Sequence, residues 1–175
     1  MNEPTHPKCS IVILNWNGTQ ETLTAVDSIL KTNSKVSFEM IIIDQGSDTE
    51  NVSNLKILSG NNKIKIFFLK KNLGFAGGVN YGISKAKGDF YVCINNDVEV
   101  KLGWLDYLYE SISSYNSIGA ACSNIIENGQ EVVGNSRYLK HIHGGSMIIS
   151  KVAWEIVGNF DSKNFGPCYG EELDW

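Results

Sequence analysis

The stretch GDFYVCINNDVEV, residues 88–100, indicates both the fold class and the position of a binding site. Phe90 to Ile94 is a short apolar run, typical of a strand that is buried on both faces. Three short polar side chains, Asn95, Asn96 and Asp97, follow it directly. Because ligands of open α/β sheets bind at the carboxyl ends of strands, we predict that Asn95 to Asp97 form the floor of a binding site.

The composition is that of an ordinary globular domain. The 175 residues are enough for one domain with a substantial core, and 42% of them are hydrophobic and 19% charged. A net charge of −4 argues against non-specific binding of nucleic acid, which requires a basic surface. A phosphorylated small molecule is compatible with this charge, because a divalent cation can supply positive charge.

The four cysteines are widely spaced and form no Cys-x-x-Cys motif. Cys9 and Cys93 lie within apolar runs, where a free thiol behaves as a small hydrophobic group. This pattern favours a reducing compartment over a disulfide framework. No stretch has the length and apolar character of a signal peptide or of a membrane span, so we expect a cytoplasmic protein.

Strand-like and helix-like apolar runs alternate along the first hundred residues, at intervals that suit βαβ units. The helix after the third strand is expected to stop at Gly88. The sequence thus predicts an α/β fold, with a mostly parallel sheet flanked by helices and a small antiparallel portion in the C-terminal half. The predicted strands are Cys9–Leu14, Phe38–Ile43, Lys63–Leu69, Phe90–Ile94, Ile118–Cys122 and His143–Ile149, with later helices at Trp104–Ile112 and Val152–Val157 and a polar hairpin or loop over 124–139.

Asp44 ends the second predicted strand, and its residue type allows two interpretations. Its carboxylate can accept a hydrogen bond from the imide N–H of a pyrimidine base. Alternatively, it forms an Asx-turn or caps the following helix. The sequence leaves both open.

The segment GFAGGVNYG, residues 74–82, resembles a phosphate-binding loop that leads into a helix N-terminus. Its glycine spacing fits neither the dinucleotide fingerprint nor a P-loop. The alternative is close packing of this helix on the sheet.

Asp97 is the strongest candidate metal ligand, since a carboxylate with amide neighbours suits Mg²⁺ or Mn²⁺. The alternative is a solvated turn at a strand end. His141 and His143 would share one face of a strand, but no third zinc ligand has suitable spacing, so an ordinary pair of histidines is favoured.

The acidic cluster Glu171, Glu172 and Asp174 is a candidate for a general base. In a helix, Glu171 and Asp174 would share a face. The alternative is a helix N-terminus enriched in acids. Because the chain ends at Trp175 within this pattern, we expect it to be truncated.

Motifs in a characteristic order extend over nearly the whole chain: SIVILNWNG (10–18), IDQGS (43–47), NLGFAGGVN (72–80), INNDVE (94–99), Gly144-Gly145 and EELDW (171–175). In this order the chain resembles family 2 glycosyltransferases with the GT-A (Rossmann-like) fold. The INND and EELDW forms are most similar to the rhamnosyltransferase-type branch, which builds bacterial surface polysaccharide.

The resemblance implies a role for each matching residue. Asp97 would bind the cation, Mg²⁺ or Mn²⁺, that bridges the diphosphate, and Glu172 would be the catalytic base, with Glu171 and Asp174 as flanking carboxylates near the acceptor. Asn95 stands where the family's DxD motif has its first aspartate, and Glu172 replaces the commoner aspartate. The implied donor contacts are Asn15 and Asn17 beside the nucleotide, Asp44 on the base, Gly74, Gly77, Gly78 and Asn80 along the ribose and phosphates, and Asn95 facing the ribose or sugar.

These features predict one domain over residues 1–175, with a nucleotide-binding half (1–100) and an acceptor-side half (101–175). The implied activity is inverting, metal-dependent transfer of a sugar from a UDP- or dTDP-sugar to a saccharide or lipid-linked acceptor. Peripheral membrane association, at the inner face of the membrane, would come from segments beyond the C-terminus.

Two other functions stay open. A nucleotidyltransferase acting on sugar phosphates also uses an α/β sheet and acidic groups, but Asn15-Trp16-Asn17-Gly18 lacks the basic residue that such an enzyme needs near its first strand. A non-catalytic nucleotide-binding domain is the second, and turnover of a sugar nucleotide distinguishes it from an enzyme.

Overall fold

The structure is a computed structural model and describes residues 6–115, 117–124 and 144–164. Strands and helices alternate through the first half, as predicted. The elements are β1 (Cys9–Asn15), α1 (Thr19–Lys31), β2 (Phe38–Asp44), α2 (Thr49–Leu55), a 3₁₀-helix (Lys56–Gly60), β3 (Ile64–Phe68), α3 (Gly74–Ile83), β4 (Phe90–Ile94), α4 (Trp104–Ser113), β5 (Ala120–Cys122), β6 (Ser146–Ser150) and α5 (Lys151–Val157).

The described strands form one six-stranded sheet with the order β3-β2-β1-β4-β6-β5. The first four strands are parallel, whereas β6 pairs antiparallel with both β4 and β5. The predicted mostly parallel sheet with an antiparallel portion in the C-terminal half is therefore confirmed. The polar segment 125–143 lies outside the described residues.

Both faces of the sheet are covered, because alternate residues of the central strands point to opposite sides. On β1, Ile11 and Ile13 face one cluster of buried side chains, to which α1 and α4 contribute. Val12 faces the other cluster, to which α3 and the Trp154 side chain of α5 contribute. The cysteines Cys9 and Cys93 are buried free thiols within these clusters, as the apolar runs predicted.

The predicted stop of α3 at Gly88 is wrong, because the helix ends at Ile83. The amides of Lys87 and Gly88 instead donate to the hydroxyl of Ser10, at 3.2 and 2.9 Å. A Cβ on Gly88 would lie 2.8 Å from the backbone nitrogen of Ser10. Glycine is therefore required here for close approach to β1, not for ending a helix.

An ion pair with one buried partner, Glu39, holds the amino ends of the strands together, opposite to the predicted site. The carboxylate of Glu39 accepts from Lys65 Nζ at 2.6 Å, from Ser10 Oγ at 2.8 Å and from the Lys87 amide at 2.8 Å. Burial alone raises the pKa of Glu39, but these hydrogen bonds outweigh it and hold the pKa below its usual value.

Across the described residues, no helix has the length and apolar character needed to span a bilayer.

Candidate active site

The ends of β1, β2 and β4 lie side by side at one edge of the sheet. Asn15 pairs with Asp44 across β1 and β2, and Ile13 pairs with Ile94 across β1 and β4. Neighbouring strands are about 4.8 Å apart, so the end of β2 is roughly 10 Å from the end of β4. The structure thus brings together the three strand ends that the sequence predicted to converge.

Asn15, a predicted nucleotide contact, is fully buried and organises this edge. Its Nδ2 donates to Asp44 Oδ1 at 2.8 Å and, at 3.3 Å, to Ser47 Oγ. Its Oδ1 accepts from Thr22 Oγ1 of α1 at 2.8 Å. One amide therefore joins the ends of two strands to the first turn of a helix.

Asp44, the predicted base-reading residue, has no exposed surface. Its Oδ2 accepts from the Ser47 amide at 3.1 Å, so the carboxylate closes a turn after β2. Of the two interpretations predicted for Asp44, this geometry matches the one in which the carboxylate forms a local turn. The cap of α2 belongs to Asp48 instead, whose carboxylate accepts from the Asn51 amide at 2.9 Å.

The turn after β1 is fixed to the turn after β2. Asn17 has a left-handed backbone with φ of 52°, its amide donates to Ser47 Oγ at 2.8 Å, and its Oδ1 accepts from the Asp48 amide at 2.9 Å. Between Asn15 and Asn17, the side chain of Trp16 is 59% exposed. No role was predicted for this indole, although an exposed aromatic ring offers a flat apolar face for packing.

The β4 exit loop, Asn95 to Val98, is a tight turn. The Asn95 amide donates to the Gly145 carbonyl at 3.1 Å, and the Val98 amide donates to the Asn95 carbonyl at 3.3 Å. Asp97 is exposed, and within the described ranges its carboxylate has no hydrogen-bond or ion-pair partner. Asp97 and Asp44 thus differ: one carboxylate is free at the surface, and the other is buried and bonded.

The chemistry of Asp97 fits a hard divalent cation, since a carboxylate oxygen is the ligand type that Mg²⁺ and Mn²⁺ take. No group of three or more His, Cys, Asp or Glu side chains in the part of the chain that the structure describes could hold a metal. A cation bound through Asp97 would therefore need further ligands, such as the oxygens of a diphosphate.

Asn96 is the residue that the sequence analysis left without a role. Its Nδ2 donates to the Gly18 carbonyl at 3.2 Å and to Thr22 Oγ1 at 3.3 Å. With the contacts of Asn15, this forms a chain of hydrogen-bonded side chains across three strand ends, which we call the exit network: Asp44, Asn15, Thr22 and Asn96.

The glycine-rich segment packs closely on the sheet, which is one of its two predicted interpretations, and its role as a phosphate-binding loop stays a prediction. A Cβ on Gly78 would lie 2.9 Å from Leu14 Cδ1, and one on Gly82 would overlap Val12, so these two glycines allow close packing of α3 on β1. Gly74 starts the helix with φ of 74°, and its amide donates to Asn72 Oδ1 at 2.8 Å, while the N-cap residue Leu73 makes no side-chain bond. Gly77 lies within the first turn, against Leu73. A ligand at this helix end would therefore meet the positive end of the helix dipole, beside an amide that Asn72 already bonds.

Asn80, a predicted ribose or phosphate contact, is bonded to the protein itself. Its Nδ2 donates to the Phe160 carbonyl at 2.9 Å, and its Oδ1 accepts from the Phe160 amide at 3.1 Å. This reciprocal pair holds the segment after α5 against α3. Sequence alone gave no sign of it, since the partners are 80 residues apart.

Five predicted candidates, Glu171, Glu172, Asp174, His141 and His143, lie outside the described residues. A groove of about 470 Å³ runs between α1 and α2, and its lining includes Thr19, Leu23 and Asn51. None of the predicted site residues lines it.

Two relatives illustrate the similarity to known sequences. An uncharacterized glycosyltransferase of Rickettsia bellii (strain RML369-C) is 30% identical over 144 residues, which cover 82% of this chain and 20% of that protein. A dolichol-phosphate mannosyltransferase of Pyrococcus furiosus is 24% identical over 149 residues, covering 83% of this chain and 41% of that protein. The chain thus spans less than half of the length of either relative.

Solved structures show the same fold. The mannosyltransferase PcManGT from Pyrobaculum calidifontis, in complex with GDP-Man and Mn²⁺, has a TM-score of 0.74 at 14% identity, covering 93% of this chain and 50% of that chain. S. aureus TarS 1–349, also solved in complex with UDP, has a TM-score of 0.75 at 17% identity, covering 95% of this chain and 53% of that chain. These similarities confirm the predicted GT-A fold.

The family model described as glycosyl transferase family 2 matches residues 10–166. This range begins in β1 and includes the three strand ends, the exit network and the start of α3. Since the match covers most of the chain and all the elements that build this edge of the sheet, the chain belongs to glycosyl transferase family 2.

Proposed function

We propose that the chain binds the donor for an inverting, metal-dependent transfer of a sugar from a UDP- or dTDP-sugar to the hydroxyl of a saccharide or lipid-linked acceptor. The observation that carries this proposal is the exit network beside Asp97, whose carboxylate has no partner among the residues that the structure describes. Polar side chains, three of them buried, are joined across three strand ends and form a rigid floor, and the exposed acid at its rim provides a ligand for a cation.

The nucleoside would lie over the turns that follow β1 and β2. The indole of Trp16 offers an exposed apolar face on which a base can stack. Asp44 carries the negative charge that an imide N–H would seek, but its carboxylate is covered. Reading the base through Asp44 therefore requires the turn at Gly46 and Ser47 to move aside, whereas Asn15 would hold the carboxylate in place.

The ribose and phosphates would extend from these turns toward α3. The first turn of α3, at Gly74 and Gly77, presents the positive end of the helix dipole, which favours a phosphate, and a phosphate oxygen would replace Asn72 Oδ1 on the Gly74 amide. Asn95 would face the ribose or the sugar. For Gly78 and Asn80, packing and the bond to Phe160 explain the residue type without a donor contact.

Asp97 would hold the divalent cation, Mg²⁺ or Mn²⁺, together with the diphosphate. When bound, such a cation supplies Lewis-acid stabilisation of the departing diphosphate. PcManGT supports this part of the proposal because it was solved with Mn²⁺. Glu172 would remove the proton from the acceptor hydroxyl, so that one displacement inverts the anomeric centre, with Glu171 and Asp174 beside the acceptor.

The finer assignments follow from the same resemblance. Residues 1–100 would bind the nucleotide and residues 101–175 would face the acceptor. A cytoplasmic site of action at the inner face of the membrane, and a role in polysaccharide synthesis of the rhamnosyltransferase type, complete the proposal. TarS bound to UDP supports a uridine donor, whereas PcManGT bound to GDP-Man makes GDP the competitor to test.

Calorimetric titration of UDP, dTDP and GDP, each with and without Mn²⁺, tests this function. We expect Mn²⁺-dependent binding of a pyrimidine nucleotide, and Asp97→Asn should weaken it at least about tenfold, since even substitutions behind the ligands often cost 10- to 100-fold in metal affinity. Glu99→Gln is the matched control, because Glu99 is exposed in the same region of the chain and should leave affinity unchanged.

If Asp97→Asn binds the nucleotide with unchanged affinity in the presence of Mn²⁺, the proposed cation site in the β4 exit loop is rejected. Tighter binding of GDP than of UDP and dTDP would reject the pyrimidine donor. Nucleotide binding without any transfer from a sugar nucleotide, in a version that includes the rest of the protein, would favour the non-catalytic alternative.

A further inference from the structure

We propose that Thr22 is a positioning residue, whose buried hydroxyl couples the nucleoside side of the site to the cation side. This inference rests on the proposed function, because it concerns how nucleotide and cation are held relative to each other. Nothing in the sequence indicates it, since Thr22 lies in an ordinary amphipathic helix and its partners are 7 and 74 residues away.

At the strand ends, the backbone hydrogen bonds of the sheet do not join the nucleoside side of the site to its cation side. The ladder between β1 and β2 continues to Asn15 and Asp44, but the ladder between β1 and β4 ends at Ile13 and Ile94. Beyond Ile94, the β4 exit loop has lost its hydrogen bonds to β1. Its position relative to β1 therefore depends on side chains.

Thr22 is the side chain on which those contacts meet. It is fully buried, and its Oγ1 lies 2.8 Å from Asn15 Oδ1 and 2.9 Å from the Gly18 carbonyl. Asn96 Nδ2 donates to the same oxygen at 3.3 Å. A hydroxyl has one proton and two lone pairs, so it can donate to Asn15 or Gly18 while it accepts from Asn96.

A purely helical role would not require this arrangement. A threonine within a helix commonly satisfies its hydroxyl with the carbonyl four residues earlier, which here is that of Gly18. Thr22 in addition donates to the side-chain oxygen of Asn15 in β1 and accepts from the side-chain amide of Asn96 in the β4 exit loop. The absence of a side chain at Gly18 also leaves room for Asn96, since a Cβ on Gly18 would lie 2.8 Å from Asn96 Nδ2.

The functional consequence concerns Asp97, which directly follows Asn96. A cation bound by Asp97 strengthens nucleotide binding only if this carboxylate is held at the right place relative to the diphosphate. Through Thr22, the position of Asn96 is tied to Asn15 and hence to Asp44. Loss of the hydroxyl should therefore reduce the gain in nucleotide affinity that the cation produces. It should not reduce the affinity measured without metal.

The test is nucleotide affinity by calorimetry with and without Mn²⁺, in the wild type and in Thr22→Val, Thr22→Ser and Thr32→Val. Thr32→Val is the matched control, because its buried hydroxyl donates to the Ile29 carbonyl near the other end of α1. Thr22→Val should reduce the Mn²⁺-dependent gain in UDP affinity at least about fivefold, within the usual range of coupling between sites. The metal-free affinity should stay within about twofold of the wild type, and Thr22→Ser should keep the gain.

If Thr22→Val does not fold, as judged by circular dichroism, Asn96→Ala removes this contact from the loop, together with the bond to the Gly18 carbonyl, and should show at least the same loss. A full Mn²⁺-dependent gain in the folded variant would overturn the inference while leaving the proposed function intact. Equal loss with and without metal would also overturn it, because Thr22 would then act on the nucleoside alone. A wild type that shows no Mn²⁺-dependent binding would overturn both.

Discussion

Replacing Asn15 with alanine should destabilise the protein strongly, because this one side chain serves two strand ends and a helix. The substitution removes a 2.8 Å bond to the carboxylate of Asp44, a 2.8 Å bond from Thr22 and a longer one to Ser47. A hydrogen bond to a charged group contributes about 1.5–3 kcal/mol and a neutral one about 1 kcal/mol, so we expect a loss of about 3 kcal/mol. In a chain of this size, that corresponds to a fall in Tm of about 6–12 °C.

Thermal unfolding followed by circular dichroism at neutral pH measures this loss. Asn54→Ala is the control, because Asn54 is exposed on α2 and its removal should change stability by less than about 0.5 kcal/mol. The double variant with Thr22→Val should lose less than the sum of the two single losses, since the variants share a hydrogen bond. A fall in Tm of less than about 2 °C for Asn15→Ala would refute the exit network as a structural unit.

Two further predictions concern buried groups away from the site. Because hydrogen bonds lower the pKa of Glu39 in the folded protein, its stabilisation is present above the ordinary value of 4.5 and is lost as the pH falls through the folded pKa. The stability difference between wild type and Glu39→Gln, from urea unfolding, should therefore shrink between pH 7 and pH 3, and a constant difference would reject this origin. Burial raises the pKa of Cys9 and Cys93 to about 12, so in the native protein at pH 8 iodoacetamide should label the partly exposed Cys122 before either of these two thiols. Peptide mapping by mass spectrometry that finds Cys93 labelled as fast as Cys122 would contradict this.

The central strands β1, β2 and β4 were predictable because each is a dense apolar run that ends at short polar residues. Phe90–Ile94 has the predicted bounds, while β1 and β2 extend one residue further, to Asn15 and Asp44. Those added residues are polar, yet they keep the parallel ladder, because their side chains bond each other. An apolar pattern alone cannot show that a polar residue still belongs to a strand.

The structural role of a glycine was the hardest feature to predict from the sequence, because this one residue type can end a helix, allow close packing or approach a ligand. Gly88 looked like a helix stop but allows close approach to Ser10. Gly78 looked like a phosphate contact but packs against Leu14. Gly74 has a left-handed backbone at the start of α3, but its amide is bonded to Asn72. These distinctions depend on atoms from distant parts of the chain.

The roles of Asn96 and Asn80 could not be predicted from the sequence for the same reason. Each bonds to residues more than 70 positions away, and only the folding of the whole domain brings these partners together. The sequence correctly indicated which strand ends would converge. It could not show that Asp44 is covered by its own turn while Asp97 is exposed and has no partner among the described residues.

The most direct test of the account is NMR mapping of the nucleotide and cation on the folded chain. Addition of UDP with Mg²⁺ should shift the amide resonances of the turns after β1, β2 and β4 and of the first turn of α3, and should leave those around Glu39 unchanged. Replacement of Mg²⁺ by paramagnetic Mn²⁺ should broaden the amides next to Asp97 first. Shifts confined to the groove between α1 and α2, or broadening centred away from Asp97, would contradict a donor site at these strand ends.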